Sequence, residues 1–150
     1  MSDKKFECEL PQFHTPSAEI REILKNYKTV AVVGLSTDPA KPSHEVAHYL
    51  QSVGYRIIPI HPKASEILGE KAYPSLRDLP SDLKVEIVDI FRRPDKVLPH
   101  VQEAIDIGAK AVWFQEGIIN NEAARLARDA GLKMVQNKCM LKEHRALELD

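Results

Sequence analysis

The chain has 150 residues, enough for one full hydrophobic core and little more. Hydrophobic residues make up 43 % and charged residues 29 %, an ordinary globular balance, and a net charge of -1 gives no global pull toward nucleic acid or an anionic membrane. Cys8 and Cys139 are too few for a disulfide framework, no apolar run is long enough to span a bilayer, and the polar stretch from Met1 to Pro16 lacks a signal-peptide core, so the expected compartment is the reducing cytoplasm.

Residues 1–14 read as a leader or strap, and residues 15–150 as one domain. Thr15 is a candidate helix cap with Pro16 in the first turn, ahead of Ile20, Ile23, Leu24 and Tyr27 at helical spacing. Thr29 to Gly34 is the first strand, an apolar run ended by glycine. A small polar loop with Ser36, Thr37 and Asp38 follows. Pro39, Lys41 and Pro42 then lead into a helix that begins near Ser43 and shows Val46, Ala47, Leu50 and Val53 as its stripe, with Gly54 as its stop. Arg56–Ile60 is the second strand, closed by His61-Pro62. The stretch 63–80 is rich in turn formers, and one or two short helical turns are expected there. Val85–Phe91 is the third strand, followed by Arg92-Arg93-Pro94. Pro99 cannot sit inside a helix, so a regular helix is expected from Pro99 onward, after a looser turn. Lys110–Phe114 is the fourth strand and Gln115-Glu116-Gly117 its exit loop. Asn120 or Asn121 caps a helix whose inner face reads Ala123, Leu126, Ala127 and Ala130. Leu132–Val135 is the fifth strand, and residues 137–147 a short last helix.

Strands alternating with helices predict an α/β fold: a Rossmann-like, doubly wound, parallel five-stranded sheet with helices on both faces. The strands are short and almost wholly apolar, as strands buried on both faces should be. Ligands in such sheets bind at the carboxyl ends of the strands, near the switch in strand order. Most of the notable polar residues fall at those ends, and the first strand-loop-helix corner suits phosphate because a helix amino terminus offers unpaired N–H groups and a positive dipole end. Lys41, Lys63, Arg92 and Arg93 could each pair with phosphate, while Phe91 and Pro62 offer apolar walls. A dinucleotide is disfavoured: of the three fingerprint glycines only Gly34 is present, and His61 stands where an acid would grip the ribose. The absence of a GKS or GKT excludes a P-loop.

The segments VAVVGLSTDPAKPSHEVAHYL, GYRIIPIHPKASEILGEKAYPSLRDLP, VDIFRRP, GAKAVWFQEGI and NKCMLKEHRAL, in this order and spacing, resemble the small single-domain CoA-binding proteins. That family is similar to the CoA-binding domain of the succinyl-CoA synthetase α subunit and of ADP-forming acyl-CoA synthetases. The resemblance spans about residues 15–147 and implies a Rossmann-like fold with coenzyme A, or an acyl-CoA, at the strand ends. It implies that Gly34, Ser36, Lys41 and Ser43 surround the pyrophosphate, with Thr37 in the same loop. It implies His61, Pro62, Phe91, Arg92 and Arg93 around the adenosine 3′-phosphate end, beside Lys63. Gln115, Gly117, Asn137 and Cys139 would line the pantetheine path. One departure is His61, where the family usually has Asn before the proline; an imidazole still donates a hydrogen bond, from a different position.

The resemblance supports CoA binding more than thioester synthesis, because the larger synthetases use a phosphorylated histidine from another domain. The expected role is therefore a non-catalytic binding module, with no catalytic residue and no metal ligand assigned. The rival readings are an NAD(P)-binding oxidoreductase-like protein and a stand-alone acyl-CoA synthetase subunit that needs a partner chain. Self-association or an unidentified protein partner is left open; nucleic acid and membrane are not expected partners.

Two features carry other chemistry. His44-Glu45-Val46-Ala47-His48 matches the H-E-x-x-H zinc motif, but Gln51 and Gly54 break its extended form, and solvent-exposed histidines are the plainer reading. Cys139 would lie near the thiol of a bound CoA, where an oxidised ligand would form a mixed disulfide, although a small buried hydrophobe is the more ordinary role. Trp113 reads as core, and Glu143 with His144 as a surface pair.

Overall fold

The structure is a computed structural model and describes residues 10–148; Cys8 and the rest of the expected leader up to residue 9 lie outside the described residues. In chain order the elements are α1 (Ser17–Asn26), β1 (Thr29–Val33), α2 (Pro42–Ser52), β2 (Arg56–Ile60), β3 (Glu66–Ile67), β4 (Glu70–Lys71), β5 (Ile87–Ile90), α3 (Leu98–Asp106), β6 (Ala111–Phe114), α4 (Asn121–Asp129), β7 (Lys133–Val135) and α5 (Met140–Glu148). The main sheet runs β2-β1-β5-β6-β7, and every neighbouring pair is parallel.

The alternation of side chains along each strand splits the core in two. Val30, Val32, Ile87 and Trp113 face a layer made by α1, α2 and α5. Ala31, Val33, Val88 and Phe114 face α3 and α4. This is the doubly wound Rossmann-like arrangement expected from the alternation of strands and helices. Strands β5 and β6 are buried along their whole length, which explains why they read as apolar runs, interrupted in β5 only by Asp89. Trp113 is fully buried as expected, and its indole N–H donates to the Lys138 carbonyl at 2.8 Å.

Several local expectations need correction. The stretch 63–80 holds one 3-10 turn, Leu76–Asp78, but also the antiparallel β3–β4 ribbon. The ribbon turns through Leu68 (φ 56°) and Gly69 (φ 77°), both left-handed, which is the geometry that suits a two-residue hairpin. Leucine in the first of these positions hid the turn. Thr15 does not cap α1: Pro16 holds the cap position with no side-chain bond, and the Thr15 hydroxyl donates instead to the Met134 carbonyl of β7. Helix α3 begins at Leu98, one residue earlier than expected; Pro99 sits in its first turn, where no N–H is needed, and Pro94–Lys96 forms the looser turn before it.

Asn120 caps α4 by accepting from Ala123 N at 3.0 Å. That start rotates the buried stripe to Asn121, Ala123, Ala124 and Ala127, leaving Leu126 half-buried and Ala130 exposed. His144 does not form a surface pair with Glu143. Its Nδ1 lies 2.8 Å from the Tyr49 hydroxyl, and its ring meets Tyr49 and Tyr55 edge-on. Residues 10–13 run across α4: Gln12 N donates to Asn121 Oδ1 at 2.8 Å, and Asn121 Nδ2 donates to the Leu10 carbonyl at 2.7 Å. No helix among the described residues is long and apolar enough to cross a membrane.

Candidate functional site

Strands β1 and β5 are neighbours, yet the chain leaves them toward opposite faces, into α2 and α3 respectively. A crevice opens where the two connections part. At its base Gly34 follows β1 with φ +84°. A Cβ there would lie 2.4 Å from the Phe91 carbonyl oxygen, so the β1 exit passes directly against the β5 exit and only glycine fits.

The loop after Gly34 is closed by its own polar groups. Ser36 N donates to Ser43 Oγ at 2.9 Å, Asp38 N to Ser36 Oγ at 3.0 Å, and Ala40 N to Asp38 Oδ1 at 2.9 Å. These bonds bring the start of α2, with Pro42 in its first turn, back over the end of β1. His44 N and Glu45 N both donate to the Lys41 carbonyl. Lys41, Pro42 and Ser43 at the start of α2 line the crevice, so the positive end of the helix dipole lies there, while the His44 and Glu45 amides are already used within the helix.

The crevice encloses a cavity of about 600 Å³. Gly34, Ser36, Lys41 and Ser43 form one wall, with Pro42 and Val46 beside them. Phe91, Arg92 and Arg93 line the cavity from the β5 exit, Gln115, Glu116 and Ile118 from the β6 exit, and Cys139 from just before α5. Lys41, Arg92 and Arg93 are exposed. Arg93 also holds Asp95 at 3.3 Å, whereas Arg92 stretches its side chain past Gly34. Cys139 is half-buried in the wall rather than sealed in the core.

Six residues named from the sequence do not line this cavity: Thr37, His61, Pro62, Lys63, Gly117 and Asn137. Thr37 is exposed on the loop, and Pro62 and Lys63 are exposed at the end of β2. The His61 ring is committed locally. Its Nδ1 accepts from Lys63 N at 3.0 Å and Ala64 N at 2.9 Å, as an asparagine side chain would in a tight turn. The ring proton then sits on Nε2.

Gly117 and Asn137 clamp two loops together. Gly117 N donates to Asn137 Oδ1 at 2.8 Å, and Asn137 itself has φ 61°. Asn137→Ala is expected to lose both the bond and the left-handed tolerance, costing about 1–2 kcal/mol. Urea unfolding against Asn137→Gly checks the split, because glycine keeps the backbone and loses only the bond; equal stability of the alanine variant and the wild type would refute the clamp.

The sequence reading missed Pro42, Val46, Glu116 and Ile118 as cavity residues. Val46 was legible only as helix core, because periodicity cannot tell a packed face from one that borders a void. Glu116 accepts from Lys142 Nζ at 2.9 Å, and that bond holds the Lys142 pKa above its ordinary value. The reading also missed Asp89, although a carboxylate in an otherwise apolar strand was a visible signal. Asp89 is fully buried, and its Oδ1 accepts from Gln115 Nε2. Its Oδ2 has no partner. Burial pushes its pKa up to about 8, against the lowering effect of the Gln115 bond.

Among the described residues no group of three or more His, Cys, Asp or Glu is gathered. His44 and His48 border a different hollow, beside Pro39 and Leu68.

The pattern described as a CoA binding domain matches residues 28–145. The chain belongs to this CoA-binding domain family. Among its relatives, the Bacillus subtilis protein YneT, described as uncharacterized, is 38 % identical over 127 residues, covering 85 % of this chain and 93 % of that one. A hypothetical protein from Pyrococcus horikoshii OT3 has a solved structure with TM-score 0.86 and 43 % identity, covering 93 % of this chain and 97 % of that one. The ADP-forming acetate–CoA ligase II of Archaeoglobus fulgidus is 36 % identical over 76 residues, 49 % of this chain and 11 % of the ligase. The family thus includes proteins close to this one in length, and the same fold pattern recurs as a small part of ADP-forming acyl-CoA synthetases.

Proposed function

We propose that the protein binds coenzyme A, or an acyl-CoA, in the crevice between the β1 and β5 exits, as a module that holds the ligand without making or breaking its thioester. The observation that carries this reading is the cavity of about 600 Å³, whose lining joins the α2 amino terminus and three exposed cations, Lys41, Arg92 and Arg93, to Cys139. Family membership adds the ligand class. In this reading the pyrophosphate rests against Gly34, Ser36, Lys41 and Ser43. Phe91, Arg92 and Arg93 take the adenosine 3′-phosphate end, and the pantetheine runs past Gln115 toward Cys139. His61 and Pro62 support the rim from the end of β2. A reducing, cytoplasmic setting belongs to the same proposal, since the pantetheine end carries a thiol beside Cys139.

Calorimetric titration of ligand-stripped protein with CoA, 3′-dephospho-CoA and NAD tests it. CoA should bind more tightly than both comparators. Arg92→Ala should weaken CoA by roughly tenfold or more, the scale of one charge-assisted hydrogen bond, and leave dephospho-CoA nearly unchanged. Arg93→Ala should do less, because Asp95 already shares that guanidinium. Equal binding of CoA and dephospho-CoA would remove the role given to the arginines. Preference for NAD, or no binding of any of the three, would refute the reading.

A further inference from the structure

Asp89 sits in β5, the middle strand of the sheet, level with Val32 of β1 and Trp113 of β6. It shares their face by the strand alternation, among apolar side chains from α1, α2 and α5. Its one hydrogen-bond partner is Gln115. Gln115 is itself buried, accepts from Met140 N at 3.4 Å through Oε1, and borders the cavity. A single side chain therefore connects the buried carboxyl, the start of α5 and the ligand cavity. A buried carboxyl oxygen without a partner is costly in either protonation state, so its presence beneath a cavity calls for a role.

We propose that Asp89 is a positioning residue that couples ligand binding to a proton: its neutral form sets Gln115 in the cavity wall, and an anionic ligand above Gln115 favours that neutral form. The inference rests on the CoA reading for the identity of the anion. It goes beyond that reading in making affinity depend on a carboxyl that the ligand does not touch.

The physical basis is linkage. A polyanion bound in the cavity opposes a second negative charge in the low-dielectric sheet beneath it, so binding raises the Asp89 pKa. Reciprocally, ionising Asp89 weakens binding by the same factor. The charged groups at the cavity are Lys41, Arg92, Arg93 and Glu116. The elements on this side of the sheet also carry titratable side chains: Glu19, Arg21, Glu22 and Lys25 on α1, His44, Glu45, His48 and Tyr49 on α2, Lys142, Glu143, His144 and Arg145 on α5, with Tyr27, Tyr55 and Cys139 packed beside them. None of them bonds to Asp89, and the residues level with it on β1 and β6 cannot titrate. Burial, set against the lowering effect of the Gln115 bond, brings its pKa to about 8, within reach of ordinary buffers.

The experiment is calorimetric binding of CoA to the intact wild-type chain and to Asp89→Asn, from about pH 6 to about pH 9.5, in two buffers of different ionisation heat. Wild-type affinity should fall by roughly threefold to tenfold across the upper half of that range, the equivalent of about half to one pKa unit. Net proton uptake on binding should be present near pH 8 in the wild type and smaller in Asp89→Asn. Titration of the thiol and phosphates of CoA affects both proteins alike and cancels in the comparison. Independently of any variant, the carbon-13 shift of the Asp89 carboxyl should titrate at higher pH with CoA bound than without it. Parallel affinity curves for the two proteins, or an unmoved Asp89 titration, would overturn the coupling while leaving CoA binding intact. Absence of CoA binding at every pH in both proteins would instead overturn the underlying reading and the coupling with it.

Discussion

Replacing Gly34 by alanine is expected to destabilise the protein by roughly 3 kcal/mol and to weaken CoA binding by more than tenfold. Two effects add. The backbone at Gly34 has φ +84°, which L side chains rarely adopt, and strain there costs about 1 kcal/mol. The added Cβ would also lie 2.4 Å from the Phe91 carbonyl oxygen, a backbone atom that cannot rotate away. Relief requires the β1 and β5 exits to part. Those exits carry Ser36 and Lys41 on one side and Arg92 and Arg93 on the other, so the damage reaches the cavity directly. Thermal unfolding and CoA titration of Gly34→Ala measure the two effects together. A variant with wild-type stability and affinity would show that the close approach has no importance. As a control, Gly54→Ala keeps the positive-φ strain (φ +101°) with open space around the new Cβ, and its loss should be confined to the strain, about 1 kcal/mol.

The second large effect has the opposite sign. Asp89→Asn is expected to stabilise the protein at neutral and alkaline pH. The folded chain holds the Asp89 carboxyl at about 8, against an ordinary 3.8, because burial penalises the charged form. The neutral form is thus favoured by folding, and the folded state binds more protons than the unfolded state between those two values. Stability from this group is greatest below about pH 4, falls steadily as pH rises toward 8, and is level above that. At pH 7 the cost of taking up that proton is at most about 4 kcal/mol.

Asparagine removes the proton uptake and can still accept from Gln115. It also buries an amide with no acceptor, which costs about 1–3 kcal/mol. The net expectation is a gain of about 2 kcal/mol at pH 7 and a rise in melting temperature of roughly 5 °C. The wild type should lose stability relative to Asp89→Asn between about pH 4 and pH 8, and the curves should cross near about pH 5, with the variant less stable below that by the cost of its buried amide. Unfolding scans across that range decide the matter. Parallel pH profiles would mean that Asp89 does not titrate as its burial requires. A destabilising carboxyl at the middle of the sheet is what a protein retains for function rather than for folding.

Much of this was legible in the chain. The five strands were visible because each is a short apolar run, the consequence of burial on both faces. Their parallel pairing followed from the helices between them. The site was legible at its entrance: Gly34, Ser36, Lys41 and Ser43 lie in one continuous strand-loop-helix segment, and Arg92 and Arg93 directly follow a strand. The zinc-like histidines and the Glu143–His144 pair show the limit. His44 and His48 form a local pattern that gathers no third ligand among the described residues, and His144 found Tyr49, ninety-five positions away, rather than its neighbour.

The local sequence determined what local forces can determine. Apolar periodicity set strand and helix, Pro42 and Pro99 set helix starts, Asn120 set a cap, and Gly34 marked a backbone that must pass close to another. Tertiary structure decided which of the strand-end residues share a cavity. It drew Val46, Ile118 and Glu116 in, and left Pro62, Lys63 and Thr37 outside. It turned His61 inward to its own turn and joined Gly117 to Asn137. It also made Asp89 the buried partner of Gln115, across twenty-six positions of sequence. Those outcomes depend on strand order and on the distance between loops, which arise only when the sheet is assembled; a hydrogen bond between remote residues leaves no trace in the spacing of either one.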